Sequence, residues 1–335
     1  MNMNTLFQTL PIDERAHLRE TPAPEWMEPM LATLTDRRFS DPDWLFERKF
    51  DGERCLAYRD GDRLRLLSRN RLALNDTYPE VAEALAQQAS RRFVTDGEIV
   101  AFEGSATSFA RLQGRMQITD PALARRTGIA VYYYVFDLLY LDTYDITGLP
   151  LLDRKRLLAR AFAFRDPLRY SVHRHRDGEA FYREACRQGW EGLIAKRADS
   201  PYTHRRSPDW LKFKCLNEQE FVVGGYTDPE GARTGFGALL VGYYEQDKLR
   251  YAGKVGTGYD RSTLDALGTE LRTLAQEHTP FAAGDPPARG VHWVAPKLVV
   301  EVAFAEWTRA GRLRQPRYLG RRRDKRARDV IRERA

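Results

Sequence analysis

Hydrophobic and polar positions change their period several times along this chain, and each change predicts an element. Residues 44–50, WLFERKF, read as a strand running into the turn Asp51-Gly52. Residues 63–70, RLRLLSRN, alternate as a sheet edge does. YPEVAEALAQQA (78–89) has helical spacing, with Asn75, Asp76 and Thr77 available as caps. RFVTDGEIVAF (92–102) reads as two short strands around a second Asp-Gly, and AVYYYVFDLLYL (130–141) as a buried strand. DRKRLLARAFAF (153–164) and GEAFYREACRQG (178–189) read as helices, and EGLIAKR (191–197) and DWLKFKC (209–215) as short strands.

After Cys215 the pattern becomes strands with Gly-rich turns: EFVVGGYT, ALLVGYYEQDKLRYAGKVG and KLVVEVAFAEW, with one helix from about Arg261 to Glu277. About five strands and one helix fit a small closed barrel such as an OB-fold. The expected organisation is a short leader (1–25), a larger mixed α/β domain (26–217) and a β-barrel domain (218–335). No repeat or low-complexity tract interrupts it.

With 335 residues and 42% hydrophobic content, the chain can bury a sizeable core. Its formal net charge of +7 is mild, but the distribution is uneven. Residues 309–328, RAGRLRQPRYLGRRRDKRAR, hold ten Lys or Arg and one acid, Asp324. Such a run is either a solvated tail or a phosphate-contacting segment. Cys55, Cys186 and Cys215 form no CxxC and no even framework, which predicts neither a disulfide nor a Cys-type zinc site. With no signal-peptide pattern and no apolar run of about 18 residues, the expectation is a soluble protein of a reducing compartment, without a membrane partner.

Lys49 raises the chemical question. An amine is a nucleophile only when unprotonated, and lysine's reference pKa is about 10.4. A nucleophilic site must depress it by burial or by nearby positive charge, which Arg54, Lys212 or Lys214 would supply. Lys212 and Lys214 alternate on one strand and so share a face. The tract KFDG alone carries little weight.

The tract has company. SRN (68–70), DGEIVAF (96–102), VFDLLYL (135–141), EGLIAKR (191–197), WLKFKC (210–215) and RQPRYLGRRRDK (314–325) follow it in order. Their order and spacing resemble the motif set of the covalent nucleotidyltransferases: DNA ligases, RNA ligases and capping enzymes. Across residues 25–330 the chain looks like the bacterial ATP-dependent DNA ligases, in particular the ligase domains of end-joining ligase-D proteins and their stand-alone relatives. The stretches FVVGGYTDPEGARTGFGALLVGYY and YAGKVGTG look like that group too.

The resemblance implies a nucleotidyltransferase domain with antiparallel sheets, followed by an OB-fold. It implies that Lys49 attacks the α-phosphate of ATP and keeps AMP. Glu47 would accept a hydrogen bond from the adenine amino group, and Phe136 and Ile194 would stack on the base. Glu98 would hold the ribose or a metal, and Glu191 the catalytic Mg²⁺ or Mn²⁺. Lys212 and Lys214 would meet the α-phosphate, while Arg54 and Arg69 would contact ribose or nick phosphates. Arg314, Arg322, Asp324 and Lys325 resemble the last motif, which orients the leaving phosphates. Arg322 is also a candidate DNA contact. The barrel would close for the first step and then swing away, hinging near Asn217 and Glu218.

The implied function is ATP-dependent sealing of nicked or broken duplex DNA in repair. It would take place in the bacterial cytoplasm, by a monomer, with a Ku-type end-binding protein as a candidate partner. The 25-residue leader is too short for an N-terminal DNA-wrapping domain, and polymerase and nuclease domains are lacking, which suggests a minimal core. An RNA ligase or capping enzyme is the first alternative, set against by Glu47 and the barrel. A non-catalytic nucleic-acid-binding module is the second, set against by the joint presence of Lys49, Glu98, Glu191 and both motif lysines.

Overall fold

Alternation along Trp44–Lys49 sorts its side chains onto two faces, and that sorting organises the first half of the molecule. Phe46 falls on one face and Glu47 and Lys49 on the other. The computed structural model describes residues 6–229 and 234–333, which divide between Cys215 and Leu216 into two units. Residues 1–5 of the expected leader and residues 230–233 of the TDPEGARTG stretch lie outside the described residues.

The first unit holds two large, mainly antiparallel sheets and the small hairpin Phe102–Glu103/Ala106–Thr107. One runs His173–His175, Trp44–Lys49, Gly192–Arg197, Arg206–Lys214 and Leu31–Leu34, the last pairing parallel. Its apolar face, with Phe46, Leu193, Ala195 and Phe213, packs on Phe181 and Ala185 of the helix Gly178–Arg187. The second sheet centres on Glu53–Asp60, Arg92–Val100 and Tyr132–Leu141. One face covers the main core with the helices Pro79–Ala86 and Leu151–Ala161. Its other face contributes Leu56, Tyr58, Val94, Phe136 and Leu139 to a cluster shared with Trp210 of the first sheet. The inner faces of the two sheets therefore meet, and the polar residues of both inner faces gather there.

Several expectations need correction. RFVTDGEIVAF is mostly one strand, Arg92–Val100, because it pairs on both sides and a register shift between Asp96 and Gly97 absorbs the irregularity. The described part of the leader is built in: Leu6, Phe7 and Leu10 are buried in the main core, and Arg19–Glu20 pairs with Tyr144–Asp145. Among the expected caps, Asn75 instead bonds the backbone of Leu64 and Leu66, and Thr77 donates to Ile118 O. Cys186 and Cys215 are joined in a disulfide, tying the helix Gly178–Arg187 to the end of the neighbouring strand. Spacing alone did not reveal this pair, since 29 residues separate the two in sequence. Titration of the unfolded, unreduced protein is expected to find one thiol, from buried Cys55, and three after reduction.

In the second unit Asn217–Thr227 is the shared strand. It pairs with Leu239–Glu245, Val291–Val294 and Val299–Phe304. Gln246 and Asp247, both at positive φ, turn Leu239–Glu245 into Lys248–Val255. Val299–Phe304 also pairs with Arg317–Arg321, and Tyr318 N donates to Thr257 O, which draws the far edges of the sheet together. The helix Arg261–Thr273, capped by Asp260, buries Leu264, Leu267 and Leu271 against the barrel core. Asn217 and Glu218, the expected hinge, are strand residues paired with Phe304 and Ala303.

The basic run is not a tail. It forms the strands Leu313–Arg314 and Arg317–Arg321, and Arg322 is buried with 9% exposure. Arg322 donates two bonds to Asp324 and one to Glu301. This corrects its assignment as a DNA contact, because its guanidinium is spent inside the barrel. Arg322→Ala leaves two largely buried carboxylates without their cation. It is expected to destabilise the barrel by about 3–5 kcal/mol, read by denaturant unfolding.

Candidate active site

Two transverse rows on the inner face of the first sheet define the site. Residues directly opposite each other on neighbouring strands point to the same side. The first row runs Lys49, Gly192, Lys214, and the second runs His173, Glu47, Ile194, Lys212. Lys49 and Lys214 thus stand two strands apart, about 10 Å between backbones, with a glycine between them. Gly192 has φ +151, and a Cβ there would strike Phe213 O. The glycine thus lets the strand of Gly192 pack tightly on that of Lys214, and the register turns Lys49, Lys212 and Lys214 to one face of the sheet. On the loop after Lys49, Gly52 packs its Cα against Ile99 O so closely that any Cβ would collide.

Lys49 forms an ion pair with Glu191. Burial opposes its charge, but the Glu191 carboxylate, with Asp51 and Glu98 adding to it, outweighs burial and raises the pKa. The expected depression by Arg54 or the motif lysines is absent from this state. Here Lys49 is a stabilised ammonium, because carboxylates rather than cations are its strongest neighbours.

Glu47 is the hub of a buried charge cluster. Lys155 Nζ donates to Oε1 at 2.5 Å, and Lys196 Nζ and Ser171 Oγ each donate to Oε2 at 3.0 Å. Burial would raise the carboxyl pKa, but the two ammonium groups hold it down at about 2. Lys196 in turn is pushed down to about 8 by burial, with Lys155 adding to the shift and Glu47 opposing it. With 2% exposure, Glu47 is an internal anion that accepts from three donors and keeps one acceptor site on Oε1.

The second sheet supplies the facing wall. Glu98 lies opposite Arg54 across the strands. Arg54 is clamped by both oxygens of Asp96, donates to Met30 O and lies 4.6 Å over the Phe136 ring. Tyr202 completes the clamp by donating to Asp96 Oδ2. Arg54 is thus held in place as part of the wall. Phe136 is 8% exposed and takes Lys196 Nζ at 4.3 Å as well. Arg69 sits in the turn after Arg63–Ser68, where Ser68 Oγ accepts from the Asn70 and Leu72 amides.

The barrel residues belong to the second unit. Arg314 pairs with Glu306 on its surface, Lys325 with Glu220, and Asp324 with Arg322. Sequence reasoning missed Lys155, Ser171, Lys196, Asp96 and Tyr202. Lys196 was accessible, since alternation along EGLIAKR places it on the face of Ile194. Lys155 was not, because a helix delivers it from 108 positions away from Glu47.

Glu191 fits a divalent cation. One oxygen holds Lys49, while Oε2 is buried without a hydrogen-bond partner among the described residues. No cluster of three or more His, Cys, Asp or Glu suited to a metal occurs among the described residues. Mg²⁺ takes one or two carboxylates and completes its shell with phosphate and water.

Comparison with known proteins places this geometry. Residues 29–214 match the model of the ATP dependent DNA ligase domain, and residues 232–325 that of the ATP dependent DNA ligase C terminal region. The chain belongs to the ATP-dependent DNA ligase family. Both predicted domains, the antiparallel nucleotidyltransferase fold and the OB-fold, follow from that membership, and ATP is the family's nucleotide. The multifunctional non-homologous end joining protein LigD of Pseudomonas aeruginosa is 39% identical over 324 residues, covering 94% of this chain and 38% of that protein. LigD of Mycobacterium tuberculosis, named a multifunctional non-homologous end joining DNA repair protein, is 37% identical over 313 residues, covering 92% and 40%. The chain thus spans about two fifths of the length of these relatives. A solved structure of mycobacterial DNA ligase D complexed with ATP and MES superposes with a TM-score of 0.65 at 36% identity, covering 92% of this chain and 98% of that one. Among the described residues no helix is long and apolar enough to cross a membrane.

Proposed function

We propose that this chain seals 5′-phosphate/3′-hydroxyl breaks in duplex DNA, as the ligase activity of an end-joining repair system. The observation that carries it is the row Lys49–Gly192–Lys214 with Glu191 beside the nucleophile. Lys49, first deprotonated to the amine, attacks the α-phosphorus of ATP, its N–P bond forming as the bond to pyrophosphate breaks, and the proton left on the bonded nitrogen passes to solvent. AMP then passes to the DNA 5′-phosphate, and the 3′-hydroxyl displaces it to close the strand. Lys214 and Lys212 share the face of Lys49 and hold the negative phosphate beside it. Phe136 and Ile194 flank the base. Glu98 takes the ribose or shares the cation. Mg²⁺ or Mn²⁺ held by Glu191 would neutralise that carboxylate and the charge developing on phosphate.

Arg69 and Arg54 serve the nick phosphates, Arg54 from its Asp96 clamp. Arg314, Asp324 and Lys325 orient the leaving pyrophosphate when the barrel is closed. The protein works as a cytoplasmic monomer at the nucleoid, with a Ku-type protein as a candidate recruiter. The test is sealing of a nicked duplex by purified protein with ATP and Mg²⁺, run beside an RNA nick and beside GTP. Sealing of the DNA nick with ATP supports the proposal. Labelling by GTP alone, or sealing of RNA alone, would replace it with capping or RNA-ligase chemistry.

A further inference from the structure

The strand pairing of Asn217 and Glu218 leaves a hinge to the residues just before them. The strand Arg206–Lys214 ends and the strand Asn217–Thr227 begins with only Cys215 and Leu216 between. Leu216 is exposed. Chains pivot at element ends, where a few residues can change φ and ψ, so these two are the candidate pivot.

Cys215 is anchored by both its side chain and its main chain. Its Sγ is bonded to Cys186 on the helix Gly178–Arg187, and its amide donates to Glu191 O. Tyr182, one turn before Cys186 on the same helix face, donates to Lys214 O. The helix therefore grips the end of the first unit twice, at Lys214 by a hydrogen bond and at Cys215 by a covalent one. With the bridge closed, Leu216 is the one residue between the tethered Cys215 and the first barrel strand. Both bridged cysteines are half-buried, whereas Cys55 is fully buried. A small thiol or disulfide can reach the pair and not Cys55. In a reducing compartment a disulfide is ordinarily transient and redox-sensing rather than a permanent staple.

We propose that Cys186 and Cys215 form a thiol–disulfide switch on the hinge: the bridge confines the pivot to Leu216 and slows the barrel's alternation between ATP labelling and strand sealing, and reduction extends the pivot through Cys215 and speeds it. This rests on the ligase reading above, in which the barrel closes for the first step and moves for the later ones in a reducing compartment. A low-molecular-weight disulfide such as oxidised glutathione serves as the oxidant. One cysteine thiolate attacks it, releasing one small thiolate and leaving a mixed disulfide. The other cysteine thiolate displaces the second small thiolate as the Cys186–Cys215 bond forms. The two electrons and two protons lost by the protein end on the two small thiols, and reduction runs the same exchange backward. Lys214 keeps its place in either state, because Tyr182 and not the sulfur holds its carbonyl.

The test is multiple-turnover sealing of a nicked duplex at saturating ATP by the full chain, equilibrated in mixtures of reduced and oxidised glutathione. Alkylation and peptide mass read the bridged fraction in the same samples. Wild type is expected to seal roughly fivefold faster or more when fully reduced, the low end of typical couplings between a switch and an activity. Its rate should follow the thiol fraction of Cys186 and Cys215. Cys186→Ser cannot form the bridge and is expected to run at the reduced rate in every mixture; Cys186→Ala takes its place if serine prevents folding. A wild-type rate that stays flat, or that rises on oxidation, overturns the proposal, as does a Cys186→Ser rate that still follows the mixture. A bridge that serves only stability raises the thermal midpoint of the oxidised protein and leaves its sealing rate unchanged, which overturns it too. Protein that seals no nick in any mixture contradicts the ligase reading itself. Protein that seals at one rate throughout contradicts only the switch.

Discussion

Lys49→Ala is expected to take up no label from α-labelled ATP, a loss on the order of 10⁴-fold or more, as in other enzymes stripped of their nucleophile. Lys49→Arg is expected to fail equally, although it keeps a cation beside Glu191. The arginine variant separates chemistry from folding, since its thermal midpoint should stay close to wild type. The Lys49–Glu191 pair sharpens this expectation. In the structure the amine is protonated and stabilised by Glu191, Asp51 and Glu98, so the reactive form requires that Glu191 be drawn to another charge. Positive charge on Glu191 would release the amine, and the row position of Lys214 would then favour its neutral form. Denaturing gels with acid-labile label measure the outcome directly. Label persisting in either variant would move the nucleophile elsewhere.

The second large effect is on stability. Glu47→Ala leaves the ammonium groups of Lys155 and Lys196 buried, at 1% and 2% side-chain exposure, without their shared carboxylate. Removing one partner of a buried ionic cluster costs about 3–5 kcal/mol. Urea unfolding of the variant against wild type reads that difference, and a change below about 1 kcal/mol would contradict the hub described for Glu47. The same hub has an acid-side signature. Glu47 titrates near 2 when folded and near 4.5 when unfolded, so the unfolded chain binds the extra proton between these values. Its contribution is therefore fully present above about pH 4.5 and is lost as pH falls toward 2. In Glu47→Gln that part of the slope should vanish.

Much of the site was legible because strands encode facing in sequence. Alternation placed Lys212 and Lys214 on one side, and the spacing of EGLIAKR carries Ile194 and Lys196 on one face in the same way. What alternation does not encode is which strands are neighbours. The rows Lys49–Gly192–Lys214 and His173–Glu47–Ile194 join segments more than a hundred residues apart, so only the sheet order reveals them. The same limit hid Lys155, delivered by a helix, and the pairing of Cys186 with Cys215. The basic run misled for a related reason. Charge density along the chain does not say that Arg322 folds inward onto Asp324 and Glu301. The leader's packing was not legible either, because Leu6, Phe7 and Leu10 are too few to signal an element yet suffice to enter the core.

The central claim is that one lysine carries AMP from ATP to DNA. The most direct measurement is a chase. Protein labelled with AMP and freed of nucleotide is mixed with a nicked duplex, and the label is followed through the single turnover while the labelled peptide is identified. The account predicts label on the Lys49 peptide that leaves the protein as the nick closes, without added ATP. Label on any other residue, or label that stays on Lys49 while the nick remains open, would contradict it.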